Sequence, residues 1–205
     1  MIRRLFLILA LALAPISAAA QTTAAPPAVT ASDRIMGRAN APVTVIEYAS
    51  LVCSHCGEWH STVYPEFKRQ FIDTGRVRLV FRDLPTAPAP VAARAAGIAR
   101  CAVPARFYDV LDAFFDGQDA LFAGGAVATW YASGIAASGR TQAQIDACLA
   151  DPATLAGVRA SVTGAMAAGV EGTPTFFVNG RRVADSSLTG LTAAITPLLA
   201  PARRR

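Results

Sequence analysis

Lysine is almost missing from this 205-residue chain: Lys68 is the single lysine among nineteen Lys and Arg residues. The arginines are scattered, apart from Arg203-Arg204-Arg205 at the end. No element concentrates basic residues with aromatics between them, which argues against a nucleic-acid binder. Charge of either sign is scarce, at 16% against 53% hydrophobic residues, so a disordered chain is excluded. The 15 glycines and 13 prolines follow no three-residue period, which excludes a collagen-like chain. Four cysteines are too few for a disulfide-stapled miniprotein, and a chain of this length needs no such staple to form a core. Methionine-rich tracts and extra histidine clusters, which a copper or zinc carrier would use, are lacking.

The first twenty residues read as a targeting signal. Arg3 and Arg4 form a basic start, Leu5 to Leu13 is an unbroken apolar run, Pro15 breaks it, and Ala18-Ala19-Ala20 follows. That order predicts a secretory signal peptide over residues 1–20, cleaved after Ala20. The alternative, a membrane anchor, would need about 20 apolar residues, and the run is shorter. Export would place the cysteines where disulfides can form and persist.

Residues 21–41 start with an Ala/Thr/Pro stretch without periodicity and are expected to be a linker. Val43 to Ala49 is β-branched and mostly apolar, a buried strand. From Cys53 the spacing turns helical, with Trp59, Val63, Phe67 and Phe71 four apart, a kink expected at Pro65 and a stop at Gly75. Arg76 to Arg82 alternates as a second strand. Strand, helix, strand predicts a parallel crossover unit. Pro85, Pro88 and Pro90 mark a break, after which residues 86–151 carry only helical signals. A helix over 152–168 follows, then a short strand from Thr175 to Val178, the hairpin signal Asn179-Gly180, and a final helix over 188–199. The class is α/β.

The chemistry lies in Cys53-Ser54-His55-Cys56, at the junction of the buried strand and the helix. Cys53 at the helix start meets unpaired N–H groups and the positive end of the helix dipole, which favour a thiolate. The Cys56 thiol, one turn in, can donate to it, and a protonated or donating His55 adds to the effect. A stabilised thiolate is a good leaving group and favours the dithiol over the disulfide, so the disulfide is an oxidant. Two alternatives are a structural disulfide and a metal carrier using Cys53, Cys56 and His60. A structural zinc site takes four ligands, and no second ligand pair is present. Glu47 stands in the buried strand six residues before Cys53, where a carboxylate is costly unless paired or protonated. Strand alternation also leaves room for an outward-facing Glu47.

Strand-CxxC-helix, a helical insertion and then Gly172-Thr173-Pro174-Thr175-Phe176-Phe177-Val178-Asn179-Gly180 resemble the thioredoxin superfamily. The insertion and the CxHC form resemble the DsbA-like thiol:disulfide oxidoreductases of the bacterial periplasm. The resemblance implies a thioredoxin-like domain from residues 42–85 and 152–199, with 86–151 as an inserted helical domain and 200–205 as a basic tail. It implies Cys53 as the exposed nucleophile, Cys56 as its buried partner, Pro174 as a cis-proline facing them, and Thr173 as the residue whose backbone pairs with substrate. It also implies that Glu47 is a buried acid handling the Cys56 proton. Arg82 is a candidate ionic partner for Glu47. The expected function is a periplasmic oxidase, acting without a cofactor as a monomer. Its partners would be exported proteins with free thiols and a quinone-linked membrane protein of the DsbB type that reoxidises the pair. Isomerase or reductase activity is the other reading within the class. The Ser54-His55 dipeptide departs from the Pro-His common in the best-known oxidases.

Cys101 and Cys148 lie on inward helix faces, with Ile98 and Ala102 and with Ile145 and Leu149. A structural disulfide between them is expected, as some members of the resembled family carry. The alternative is two buried free thiols acting as small apolar residues.

Overall fold

The chain enters its sheet earlier than the sequence suggests. Strand β1 (Arg34–Met36) lies inside the stretch expected to be a linker. The computed structural model describes residues 24–199. The expected signal segment and the basic tail lie outside that range. Arg82 explains why residues 27–33 are held down. Its guanidinium donates to the carbonyls of Pro27 (2.8 Å) and Ala28 (3.1 Å), and to both carboxylate oxygens of Asp33 (3.0 and 2.9 Å). Arg82 is buried, and a buried guanidinium is tolerable only when its donors are satisfied in this way. The linker expectation for residues 21–41 is therefore corrected: from Pro27 onward this segment is part of the fold.

The β-branched run forms β2 (Val43–Ala49), and the next strand is β3 (Val77–Asp83). Between them run α1 (Ser54–Thr62), α2 (Tyr64–Phe67) and a π-helical turn (Lys68–Ile72). The expected single kinked helix is thus divided just before Pro65, whose missing N–H and ring break the ladder. Gly75, at φ +74°, provides the left-handed turn into β3. β2 and β3 are parallel, as the crossover reading expects.

A helical block follows β3: α3 (Ala89–Cys101), a 3₁₀ turn (Pro104–Arg106), α4 (Phe107–Asp116), α5 (Gln118–Phe122), α6 (Val127–Ala137), α7 (Gln142–Ala150) and α8 (Pro152–Ala167). The chain returns through β4 (Thr175–Val178) and β5 (Arg181–Val183) to α9 (Leu188–Leu199). Asn179 (φ 45°) and Gly180 (φ 81°) make the hairpin turn, both at the positive φ that a tight hairpin requires.

The sheet order is β1-β3-β2-β4-β5, with β2 in the middle and only the β2–β3 pair parallel. Alternation divides β2 between two cores. Val43, Val45 and Ala49 face a large core continuous with α1 and the helical block. Ile46 and Tyr48 face a smaller one closed by Ala165, Ala168 and Val170 at the end of α8. Phe81 of β3 packs on Phe107 (6.2 Å) and Phe115 (6.4 Å), tying sheet to helices. Tyr108 adds a polar tie, donating to Leu79 O (2.9 Å) and accepting from Phe81 N–H (3.2 Å). Cys101 at the end of α3 and Cys148 in α7 are joined, with Cα atoms 5.9 Å apart. Among the described residues no helix is long and apolar enough to cross a membrane.

Candidate active site

β2 ends at Ala49, and the short turn Ser50–Val52 delivers Cys53 to the first position before α1. Cys53 N–H donates back to Ser50 O (3.1 Å) and Gly57 N–H donates to Cys53 O (3.1 Å), so the residue has extended backbone while its carbonyl already belongs to the helix. Two further groups fix this corner. Gln118, buried at the start of α5, donates to Leu51 O (2.8 Å) and Cys53 O (3.3 Å). Ser50 Oγ accepts from the N–H (3.1 Å) and the hydroxyl (2.9 Å) of Thr86. Gly57 leaves the space Gln118 occupies: a Cβ there would collide with the Gln118 amide oxygen.

The β2–β4 register sets the opposite wall. Tyr48 stands across from Thr175, so Pro174 and Thr173 come beside the end of β2 and the turn to Cys53. The Thr173–Pro174 peptide bond is cis. Cys53 Sγ donates to Thr173 O at 3.4 Å. A second cis bond, Ala87–Pro88, precedes α3 and had no signal in the sequence beyond the proline itself.

The two thiols differ sharply. The Cys56 thiol, the Thr173 side chain and the backbone N–H groups of Cys56 and His55, all hydrogen-bonding to the sulfur, together bring the Cys53 thiol down to about 5, in that order of effect and against partial burial. His55 thus helps through its backbone N–H, and its imidazole is exposed. Cys56 is fully buried, and burial above all, then Cys53 and Glu47, pushes its thiol far up. Alkylation of the reduced protein at pH 6 is expected to label Cys53 about a hundredfold faster than Cys56. Equal rates in peptide mass analysis would remove Cys53 as the nucleophile.

Glu47 is buried with no exposure, on the core face of β2. Its partner is His60, whose Nε2 lies 3.2 and 3.3 Å from the two carboxylate oxygens. Arg82 is not that partner. In the β2–β3 register Glu47 stands beside Phe81 and Tyr48 beside Arg82, so Arg82 reaches Tyr48 on the opposite face of the sheet (3.1 Å to its hydroxyl). The outward-facing alternative for Glu47 fails because both faces of β2 are covered. His60 was legible as Glu47's partner only through its spacing: four residues after Cys56, it shares that face of α1. No sequence signal pointed to Gln118. Among the described residues no three His, Cys, Asp or Glu side chains gather as metal ligands.

A groove of about 320 Å³ runs beside the cysteines, lined by His55, Trp59, Val63, Pro174 and Ser186 among others. Trp59 Nε1–H donates to Ser186 O (2.8 Å), which fixes the groove floor.

A family model described as Thioredoxin matches residues 30–196. A Rickettsia bellii protein named as a protein-disulfide oxidoreductase is 29% identical over 168 residues, covering 80% of this chain and 63% of that protein. The Na(+)/H(+) antiporter NhaA 3 of Salinispora tropica is 34% identical over 179 residues, 84% of this chain but 26% of that protein. The chain therefore spans less than two thirds of the first of these curated relatives and about a quarter of the second. Among solved structures, alpha-DsbA1 of Wolbachia pipientis superposes with a TM-score of 0.73 at 24% identity, covering 83% of this chain and 92% of its own. BdbD of Bacillus subtilis superposes with a TM-score of 0.67 at 18% identity, covering 86% and 97%. Both share this arrangement of sheet and inserted helices.

Proposed function

The chain belongs to the thioredoxin family, and on that premise we propose that it is a thiol:disulfide oxidoreductase of the DsbA kind that donates a Cys53–Cys56 disulfide to exported proteins. One observation carries the reading: a half-exposed Cys53 whose thiol is held at about 5, set over a fully buried Cys56 whose thiol is pushed up. That contrast favours the dithiol form and makes the disulfide a ready electron acceptor.

The steps follow from it. A substrate thiolate attacks Cys53 Sγ, the Cys53–Cys56 bond breaks, and Cys56 leaves as a thiolate that takes up a proton. A second substrate thiolate then attacks the substrate sulfur of the mixed disulfide, and Cys53 leaves as a thiolate. The substrate is oxidised by two electrons, and the protein ends as Cys53 thiolate and Cys56 thiol. In this scheme Glu47 handles the Cys56 proton. Pro174 faces the reacting sulfurs, the Thr173 backbone pairs with the substrate chain, and the groove beside them holds it. Cys101–Cys148 is a structural cross-link with no part in the exchange. The N-terminal sequence supports a periplasmic location. A membrane protein of the DsbB type would reoxidise a monomer.

Equilibration with glutathione tests the reading. A potential of about −120 mV is expected for an oxidase, whereas one of about −270 mV would make the protein a reductase. The oxidised protein should also convert one equivalent of a reduced dithiol peptide, and Cys53→Ser should convert none.

A further inference from the structure

Cys56 changes protonation in each redox cycle from a position with no exposure to water, and Glu47 beside it is equally enclosed. A proton handled there needs a way out. His60, one helical turn after Cys56, has Nε2 at 3.2 Å from the Glu47 carboxylate. Its ring is stacked on Phe115 (4.0 Å between centroids, 20° between planes) and flanked by Trp59 and Tyr64, so it is held in place. Its other nitrogen, Nδ1, is buried and has no protein partner, a condition that costs about 1–3 kcal/mol when nothing compensates it. His60 also lines a cavity of about 680 Å³ between α1 and α4, whose wall includes Tyr64, Asp112, Phe115 and Gln118. That volume admits water, and the site is polar enough to hold it.

We propose that His60 is a proton relay that connects the Glu47 carboxyl to this cavity. The proposal rests on the thiol-exchange reading above. When Cys56 leaves as a thiolate, Glu47 gives it a proton, His60 Nε2–H replaces that proton on Glu47, and Nδ1, closed to water at rest, takes one from cavity water as the cavity wall beside it shifts. Reoxidation runs the reverse: Glu47 accepts the Cys56 proton as the Cys56 sulfur attacks the mixed disulfide at Cys53, and His60 discharges a proton to the cavity. The two ring nitrogens let one imidazole accept on one side and donate on the other. The charged and titratable groups facing His60 are Glu47 from β2, Tyr64 at the start of α2, and Asp112 from α4, with Glu58, Lys68, Asp116 and Asp119 further along the cavity. Asp112, raised by burial and lowered by His60, keeps the cavity end attractive to a proton. His60 is a positioning and relay residue, since its hydrogen bonds go to Glu47 and to neither sulfur.

Stopped-flow mixing of reduced protein with oxidised glutathione separates two steps: Cys53 attack, forming the mixed disulfide, and Cys56 attack on Cys53, releasing glutathione. In His60→Gln, which can still donate to Glu47, and in His60→Ala, the second step should slow roughly tenfold or more while the first is unchanged. Added imidazole, which fits the cavity, should restore the second step in His60→Ala. A wild-type second step in either variant, or no restoration by imidazole, overturns the relay. Loss of both steps in the wild-type protein would instead overturn the redox reading itself.

Discussion

Replacing Cys101 and Cys148 together by alanine is expected to destabilise the protein by about 3 kcal/mol. The cross-link joins residues 47 apart in sequence, for which the chain-entropy relation gives about 4 kcal/mol, reduced by residual structure in the unfolded chain. The bridge ties α3 to α7, and Thr154 at the start of α8 joins the cluster by donating to Cys148 O at 2.7 Å. Three helices of the block therefore depend on one link. Urea denaturation of both proteins, each with Cys53 and Cys56 oxidised, should give a lower midpoint for the variant and a slightly higher m-value, because its unfolded chain is more expanded. The alkylation rate of Cys53 after selective reduction should not change, since the bridge lies outside the site. Equal midpoints would mean that the cross-link contributes nothing to the fold.

The stability gap between reduced and oxidised protein is expected to depend on pH in a way set by Cys53. Its folded thiol sits at about 5, below the value near 8.5 of an unfolded cysteine. A group lowered on folding contributes stability that is fully present above the unfolded value and is lost as pH falls through the folded one. The reduced form therefore gains on the oxidised form, which has no such thiol, between about pH 5 and pH 8.5. Each pH unit is worth at most about 1.4 kcal/mol, and solvent screening of a half-exposed sulfur brings the whole window to about 2–3 kcal/mol. Cys56 works in the opposite sense only above about pH 8.5, where the unfolded chain ionises it and the folded one does not, so the gain peaks there. The four-residue disulfide loop favours the oxidised form by about 2 kcal/mol at every pH. Reduced protein should therefore be the more stable form near pH 8 and lose that lead by pH 5. A difference that stays flat across this range in paired denaturation curves would contradict a thiolate at Cys53.

The parts of this protein that its sequence determined by itself rest on short-range physics. The β-branched run Val43–Ala49, the CxxC at a strand-to-helix junction, the Asn179-Gly180 hairpin and the amphipathic helix Leu188–Leu199 each carry their own periodicity or turn chemistry, and all four stand where those signals put them. β1 is only three residues long and has no such signal; its pairing with β3, and the hold of Arg82 on residues 27–33, create it. The partner of Glu47 was likewise a tertiary decision. Arg82 and His60 were both available to it in sequence, and the strand register sent Arg82 to the face of Tyr48 while helical spacing brought His60 to the core. Gln118 reaches the carbonyl of Cys53 from 65 residues away, because α4 and α5 of the inserted block pack over the start of α1. Local signals decide which segments become strands and helices, whereas a buried charge or amide finds its partner only after those elements have packed, since only then are its neighbours across the core defined.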